Sequence, residues 1–439
     1  MTATTTKLDA RQAPQGHRSE AIVSPEVSPT APEQLDQTGV EPRVLSDLML
    51  RLSYTVPSFS TKWAAEQTCL PMNLVEELCW KLKQDHLLEI LGQDGPLNYN
   101  YSATQRGREQ AVRLMDFCGY IGPAPVSLSA YTTMLQRQNE ARQGISLDDV
   151  RSALGALVLP DEVLEVAALA AASGRSLFLF GPAGNGKTSV GRLLHTVFGG
   201  ELWIPHCIDV GGSIVRLYDP QVHQAVQPEE TAGKLDRRWV RVRRPFVIAG
   251  GEMTMEELDL AYSPSLRFYE APPHVKANGG TFLIDDFGRQ RIDPHDLLNR
   301  WIIPLESRVD HLTLHTGQKI QVPFDLMLIV ATNLKVSDVA DPAFLRRMGY
   351  RLHIDYPTPE NYLHIFEQYA QRQGVSIRNG VVQDLLERYA NEDRPPRASE
   401  PRDLIERARD ICRLRRQPLE LNQEVLDVAW RGYFGNSAQ

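Results

Sequence analysis

The nine residues GPAGNGKTS, Gly181 to Ser189, constrain this chain more than any other stretch. Glycines at 181, 184 and 186 permit a tight turn. The short apolar run SLFLF precedes it and the helix-like pattern TSVGRLLHTVF follows it. Strand, glycine-rich loop and helix in that order aim backbone N–H groups and the positive end of a helix at one spot. In this setting G-x4-G-K-[ST] is a phosphate cradle. Gly181, Pro182, Ala183, Gly184, Asn185, Gly186, Lys187, Thr188 and Ser189 are therefore candidate nucleotide-binding residues. Lys187 is expected to reach the β and γ phosphates, and the Thr188 hydroxyl to ligate Mg2+. Guanine recognition would need an Asn-Lys-x-Asp loop, and the nearest text, TNLKVSD at 332–338, has Leu334 after its Asn. ATP is the expected nucleotide.

A second stretch, TFLIDDFGRQ at 281–290, runs from a threonine and three apolar residues into two adjacent acids. A carboxylate at the end of a buried strand suits a hydrated Mg2+, which assigns Asp285 to the metal beside Thr188. Asp286 is then the candidate general base for the attacking water.

The order Gly181–Thr188, Asp285–Asp286, Asn333, Arg346–Arg347 and Arg402 resembles the AAA+ ATPase layout over about residues 145–434. That resemblance implies a sensor role for Asn333 in LIVATN. It implies an arginine finger, Arg346 or Arg347, in DPAFLRRMGYRLHIDYP, acting on a neighbouring subunit. It also implies a γ-phosphate contact from the helical lid for Arg402 in SEPRDLIERARD. A guanidinium suits such roles because it is always charged and forks around phosphate oxygens. The text RVDHLTLHTGQKIQVP before LIVATN is similar to the pre-sensor-1 hairpin of MoxR-like ATPases. The chain as a whole also resembles bacterial chaperone-like ATPases linked to pilus assembly.

The departure from that pattern is Asp286, where the family usually carries Glu. Asp is one methylene shorter, a retraction of roughly 1 Å, and misplacement of that size can cost about a hundredfold in rate. Either the site is rebuilt around the shorter acid and hydrolyses ATP slowly, or nucleotide binding is a switch with little turnover. Slow hydrolysis is the expectation here, because the lysine, the threonine, the first acid and the arginines are all in place.

The remaining text sets the organisation. Residues 1–42, rich in Thr, Gln, Ala and Pro, read as a disordered tail. From 43 to 122 come three short amphipathic helical patterns, then a hairpin around Gln93-Asp94-Gly95-Pro96 and a helix from Thr104, which together predict a winged-helix domain. Leu74, Leu78 and Leu82 share one face of its third helix. Residues 123–144 read as an irregular linker. From 145 to 357 strand-like runs (SLFLF, LWIPHCIDV, TFLID, DLMLIVATN, YRLHIDYP) alternate with helical patterns. The fold class is α/β, a P-loop NTPase with a parallel sheet flanked by helices. Residues 358–439 read as an all-α lid.

Charge and composition narrow the partners. A formal charge of −8, with eight Lys and Arg against ten Asp and Glu over 41–122, suits protein recognition by the winged helix better than DNA binding. A nucleotide-gated DNA-binding regulator, and a scaffold without turnover, remain as alternatives to the enzyme. GKLDRRWVRVRRPFVIAGG at 233–251 holds six basic residues and one acid. Its alternation predicts either an aromatic and basic contact face or an edge strand protected by arginines. A finger acting in trans implies a homo-oligomeric ring, a hexamer by resemblance, working on a protein client. Five scattered cysteines without a CxxC pair, a polar N-terminus and no apolar run near the roughly 20 residues that span a bilayer point to the cytoplasm, without membrane insertion.

Overall fold

The structure, a computed structural model, describes residues 27–140, 144–227, 235–336 and 342–435. The expected tail up to residue 26, three residues of the expected linker and the last four residues of the chain lie outside the described residues.

The N-terminal unit runs α1 (Pro42–Tyr54), β1 (Phe59–Ser60), α2 (Thr61–Thr68), α3 (Met72–Gln84), β2 (Leu88–Gln93), β3 (Tyr99–Ala103) and α4 (Gln105–Phe117). Side-chain caps start two of these helices: Ser60 accepts from the Trp63 N–H, and Thr104 from the Gly107 N–H. Leu74, Leu78 and Leu82 are all buried, as their spacing of four requires. The strands form an antiparallel sheet in the order β1-β3-β2.

Two sequence expectations need correction next to this unit. The tail does not extend to residue 42, because Val27, Leu35 and Val40 are buried and Thr30 bridges to Leu235. Of the expected linker at 123–144, residues 126–140 are not irregular either. They carry β4 (Val126–Ser127) and α5 (Leu128–Glu140), whose Tyr131, Leu135 and Gln138 are buried at helical spacing. Polar composition hid a narrow apolar stripe.

The central region continues with α6 (Leu147–Leu154), α7 (Asp161–Ser173), β5 (Leu177–Phe180) and α8 (Lys187–Val197). Next come β6 (Glu201–Pro205), β7 (Cys207–Val210), β8 (Ser213–Arg216), β9 (Trp239–Arg243), β10 (Phe246–Ala249), β11 (Ala261–Tyr262) and β12 (Tyr269–Glu270). It ends with α9 (Pro273–Lys276), β13 (Thr281–Ile284), α10 (Pro294–Ser307), β14 (Val309–Thr313), β15 (Lys319–Pro323), β16 (Met327–Thr332), the helix Pro342–Arg347 and β17 (Tyr350–His353). Five of these strands make one parallel sheet, β10-β13-β16-β5-β17. Leu177 and Leu179 of β5 face a core shared with α6, α7 and α8, whereas Phe178 faces the core shared with α10. Both faces of the sheet are therefore covered, which is why its strands read as continuous apolar runs.

LWIPHCIDV does not contribute to that sheet. It splits at His206 into β6, antiparallel to β9, and β7, which joins the sheet β11-β12-β8-β7-β4. The strand of the parallel sheet comes instead from PFVIAGG, as β10. The arginine-rich stretch is divided between these layers: Arg237 and Arg243 are exposed and β10 is the edge strand of the parallel sheet, whereas β9 lies between two neighbours. β9 pairs with β6 on one side and with residues 224–226 on the other, and Trp239 and Val242 are both buried. Arg241 is paired with Glu201. Arg238 is buried in a pair with Asp236 and also donates to the carbonyls of Thr38 and Pro125.

β14 and β15 form the expected hairpin, whose Leu312, Leu314, Ile320 and Val322 complete the core of the β6–β9 layer. After β17 come the helices Pro359–Gln373, Val381–Asn391, Glu400–Arg415 and Gln423–Phe434. A short parallel pair, Ser376–Ile377 with Glu420–Leu421, corrects the all-helical expectation for this segment.

Candidate active site

From β5 the chain passes to β10, β13 and β16 on one side of it, and then crosses to β17 on the other. The carboxyl ends of the strands beside β5 therefore open a crevice where α/β sheets bind ligands. Three glycines shape the loop there, with φ of +133° at Gly181, +84° at Gly184 and +90° at Gly186. Gly181 has a second constraint, because a Cβ at that position would stand 2.2 Å from the Ile354 carbonyl oxygen. Gly186 then caps α8, so the helix starts at Lys187.

A cavity of about 230 Å³ sits at this point, lined by Ala183, Gly184, Gly186, Lys187, Thr188, Ser189, Asp285, Asp286, Ala331, Asn333 and Ser399. Lys187 is buried and folds back, its Nζ donating to the Gly181 and Pro182 carbonyl oxygens at 2.8 Å each. Burial pushes its pKa below the usual lysine value, against the attraction of Asp286 and Asp285. The Thr188 hydroxyl donates to Asp285 Oδ1 at 2.9 Å. Two oxygen donors side by side suit a hard cation that keeps part of its water shell, so the residues present fit Mg2+. Asn333 Nδ2 lies 3.5 Å from Asp286 Oδ1.

Asp286 has φ +49°, left-handed for a residue other than glycine. The following residue, Phe287, is fastened to the sheet, its N–H donating to the Ala331 carbonyl and its carbonyl accepting from the Thr332 hydroxyl. Gln290 spans the turn, with Nε2 donating to the Asp285 carbonyl at 2.9 Å and the Asp286 carbonyl at 3.4 Å, and Oε1 accepting from the Gly288 N–H at 2.8 Å.

Not every expected residue reaches the cavity. Gly181, Pro182 and Asn185 belong to the loop but do not line it. Arg346 and Arg347, on the helix Pro342–Arg347, are also outside the lining, and Arg347 is paired with Glu306 at 3.3 Å. Arg402 also lies outside the lining; it is paired with Asp403 at 3.2 Å and is more than half exposed. The lid's contribution is instead Ser399, whose N–H donates to the Gly184 carbonyl, and Ala398, whose N–H donates to Asn185 Oδ1. Ser399 and Gln290 were missed in the sequence because each was read only as text flanking a recognised motif. Their nearness to SEPRDL and to DDFG was the available signal.

Sheet and cavity together define the class as a P-loop NTPase fold, with the phosphate loop between β5 and α8 and paired acids at the end of β13. Residues 358–432 match the model of a domain of unknown function, DUF8689, and no curated protein matches the chain. Among solved structures, the chain is similar to the Thermotoga maritima RuvB Holliday junction branch migration motor at 14% identity and TM-score 0.36, covering 62% of this chain and 67% of that one. It is also similar to NtrX from Brucella abortus in complex with ATP, at 16% identity and TM-score 0.39, covering 73% of this chain and 62% of that one. NtrX in complex with ADP gives 15% identity and TM-score 0.40, over 73% and 64%.

Proposed function

We propose that this chain is an AAA+ ATPase that binds ATP with Mg2+, hydrolyses it slowly and uses the cycle to change the shape of a protein partner. The observation that supports this best is that Lys187, Thr188, Asp285, Asp286 and Asn333, drawn from α8 and from the ends of β13 and β16, line a single cavity.

On phosphate binding, Lys187 exchanges the Gly181 and Pro182 carbonyls for phosphate oxygens, while the loop N–H groups hold the remaining charge. Thr188 and Asp285 would hold the metal, which when bound neutralises charge across the β and γ phosphates. Asp286 accepts a proton from the attacking water, and Asn333 keeps its carboxylate in place. Arg346 or Arg347 serves a neighbouring copy in a ring, a hexamer by resemblance, and Arg402 turns from Asp403 toward the γ-phosphate as the lid closes. The hairpin β14–β15 is read as the MoxR-like pre-sensor-1 insertion. The N-terminal unit is read as a winged helix that recognises protein rather than DNA, since its third helix and the residue that caps it expose Glu77 and Asp85 beside Lys81. No helix among the described residues is long and apolar enough to cross a membrane, and the cytoplasm is the proposed location.

The test is phosphate release together with calorimetric ATP binding. Lys187→Ala is expected to lose binding, and Asp286→Asn to keep binding while losing turnover. Folded wild-type protein that takes up no ATP would sink the reading. Specific activity that rises with protein concentration supports a site shared between copies.

A further inference from the structure

The acid at position 286 is short, its backbone is left-handed, and one side chain spans the turn that contains it. We propose that these are one device, in which Gln290 is a positioning residue that fixes the turn, and the changed direction of the Asp286 side chain replaces the missing methylene. The proposal rests on the hydrolytic reading above.

The turn is determined from both ends. Asp285 ends its strand with its N–H on the Ala249 carbonyl, and Phe287 is tied to β16 through both its N–H and its carbonyl. Across the one residue between these anchors the backbone N–H switches from the β10 side to the β16 side, at φ +49°. Asp enters the left-handed region more readily than longer side chains, because a short polar group can bond locally. Glu in an ordinary extended conformation would reach further along the strand direction, whereas Asp in the left-handed conformation leaves at a different angle. The Asp286 N–H bonds Asp285 Oδ1 at 3.1 Å, and its carboxylate lies beside Asn333 on the cavity wall. Gln290 holds this conformation by drawing both acid carbonyls to one amide and closing on the Gly288 N–H. Its side chain does not line the cavity, so it acts through Asp286 and not on substrate.

The device predicts a reversal of sign. With Gln290 in place, Asp286→Glu puts a longer side chain on a turn built for a short one, and turnover falls. Without the clamp, the turn relaxes toward the extended form and the longer acid becomes the better one.

The experiment measures kcat, ATP affinity by calorimetry and thermal midpoint for the full chain, Gln290→Ala, Asp286→Glu and the double variant. Gln290→Ala is expected to lower kcat about 10- to 100-fold with ATP affinity within about 3-fold of wild type, matching the cost of a misplaced catalytic group. Adding Asp286→Glu to it is expected to restore at least part of the loss. Gln290→Glu, which keeps the size and the Gly288 bond but not the donor, repeats the loss if the alanine variant folds poorly. Unchanged kcat in Gln290→Ala, or an Asp286→Glu effect of the same sign in both backgrounds, overturns the clamp while leaving the ATPase intact. Wild-type protein that binds ATP and never hydrolyses it overturns the hydrolytic reading and the clamp with it.

Discussion

The Thr188 hydroxyl, at the start of α8, donates a 2.9 Å hydrogen bond to Asp285 Oδ1, at the end of β13. On the proposed reading both hold one ion, so they should not act independently. Thr188→Ala and Asp285→Asn are each expected to weaken ATP binding in Mg2+ about tenfold, or about 1.4 kcal/mol. The double variant should lose clearly less than the product of the two. With EDTA present the three variants and wild type should converge, a comparison that titration calorimetry makes directly.

The loop glycines should not tolerate alanine equally. At Gly186 an added Cβ meets nothing within 4 Å, so only the left-handed backbone is penalised, by about 1–2 kcal/mol. At Gly181 the same atom meets a backbone oxygen at 2.2 Å that no side-chain motion can clear. Thermal unfolding should therefore rank Gly181→Ala well below Gly186→Ala.

Arg238 and Asp236 are a buried pair, each side chain 4% exposed. Arg238→Ala strands a carboxylate and uncouples the Thr38 and Pro125 carbonyls, with an expected loss of about 3–5 kcal/mol in urea unfolding. Arg238→Met combined with Asp236→Leu should recover much of that loss, since replacing both charges removes the stranded one.

Acid should weaken the fold through two histidines. Burial pushes His195 and His206 from the usual 6.5 down to about 4, His195 with help from the positive charge of Arg244. The unfolded chain then binds these protons first, so stability is complete above about pH 6.5 and is lost as pH falls toward 4. Each group contributes on the order of 3 kcal/mol to that slope. His195→Gln should flatten the fall in urea midpoint between pH 7 and pH 4.

The phosphate loop and the acids were legible because their chemistry demands particular residues at fixed spacing in a strand–loop–helix setting. The parallel sheet was legible where strands are buried on both faces. The β6–β9 layer was not. LWIPHCIDV carries the same apolar signal as a strand of the parallel sheet, and nothing local announces the partner, residues 239–243, more than 30 positions away. The arginines misled for a related reason, because a guanidinium looks solvated in the text until its acceptors, here carbonyls from residues 38 and 125, arrive from distant segments. Arg402 was placed by motif alone, and nothing in the text announces its pairing with the adjacent Asp403.

Cys207, Ile214 and Phe268, from the layer beside the nucleotide domain, are buried in the same cluster as the N-terminal helices, and Arg238 ties that layer to residue 38. No slack tether separates the two bodies among the described residues. A tilt of that layer would thus carry the amino-terminal helices along with it.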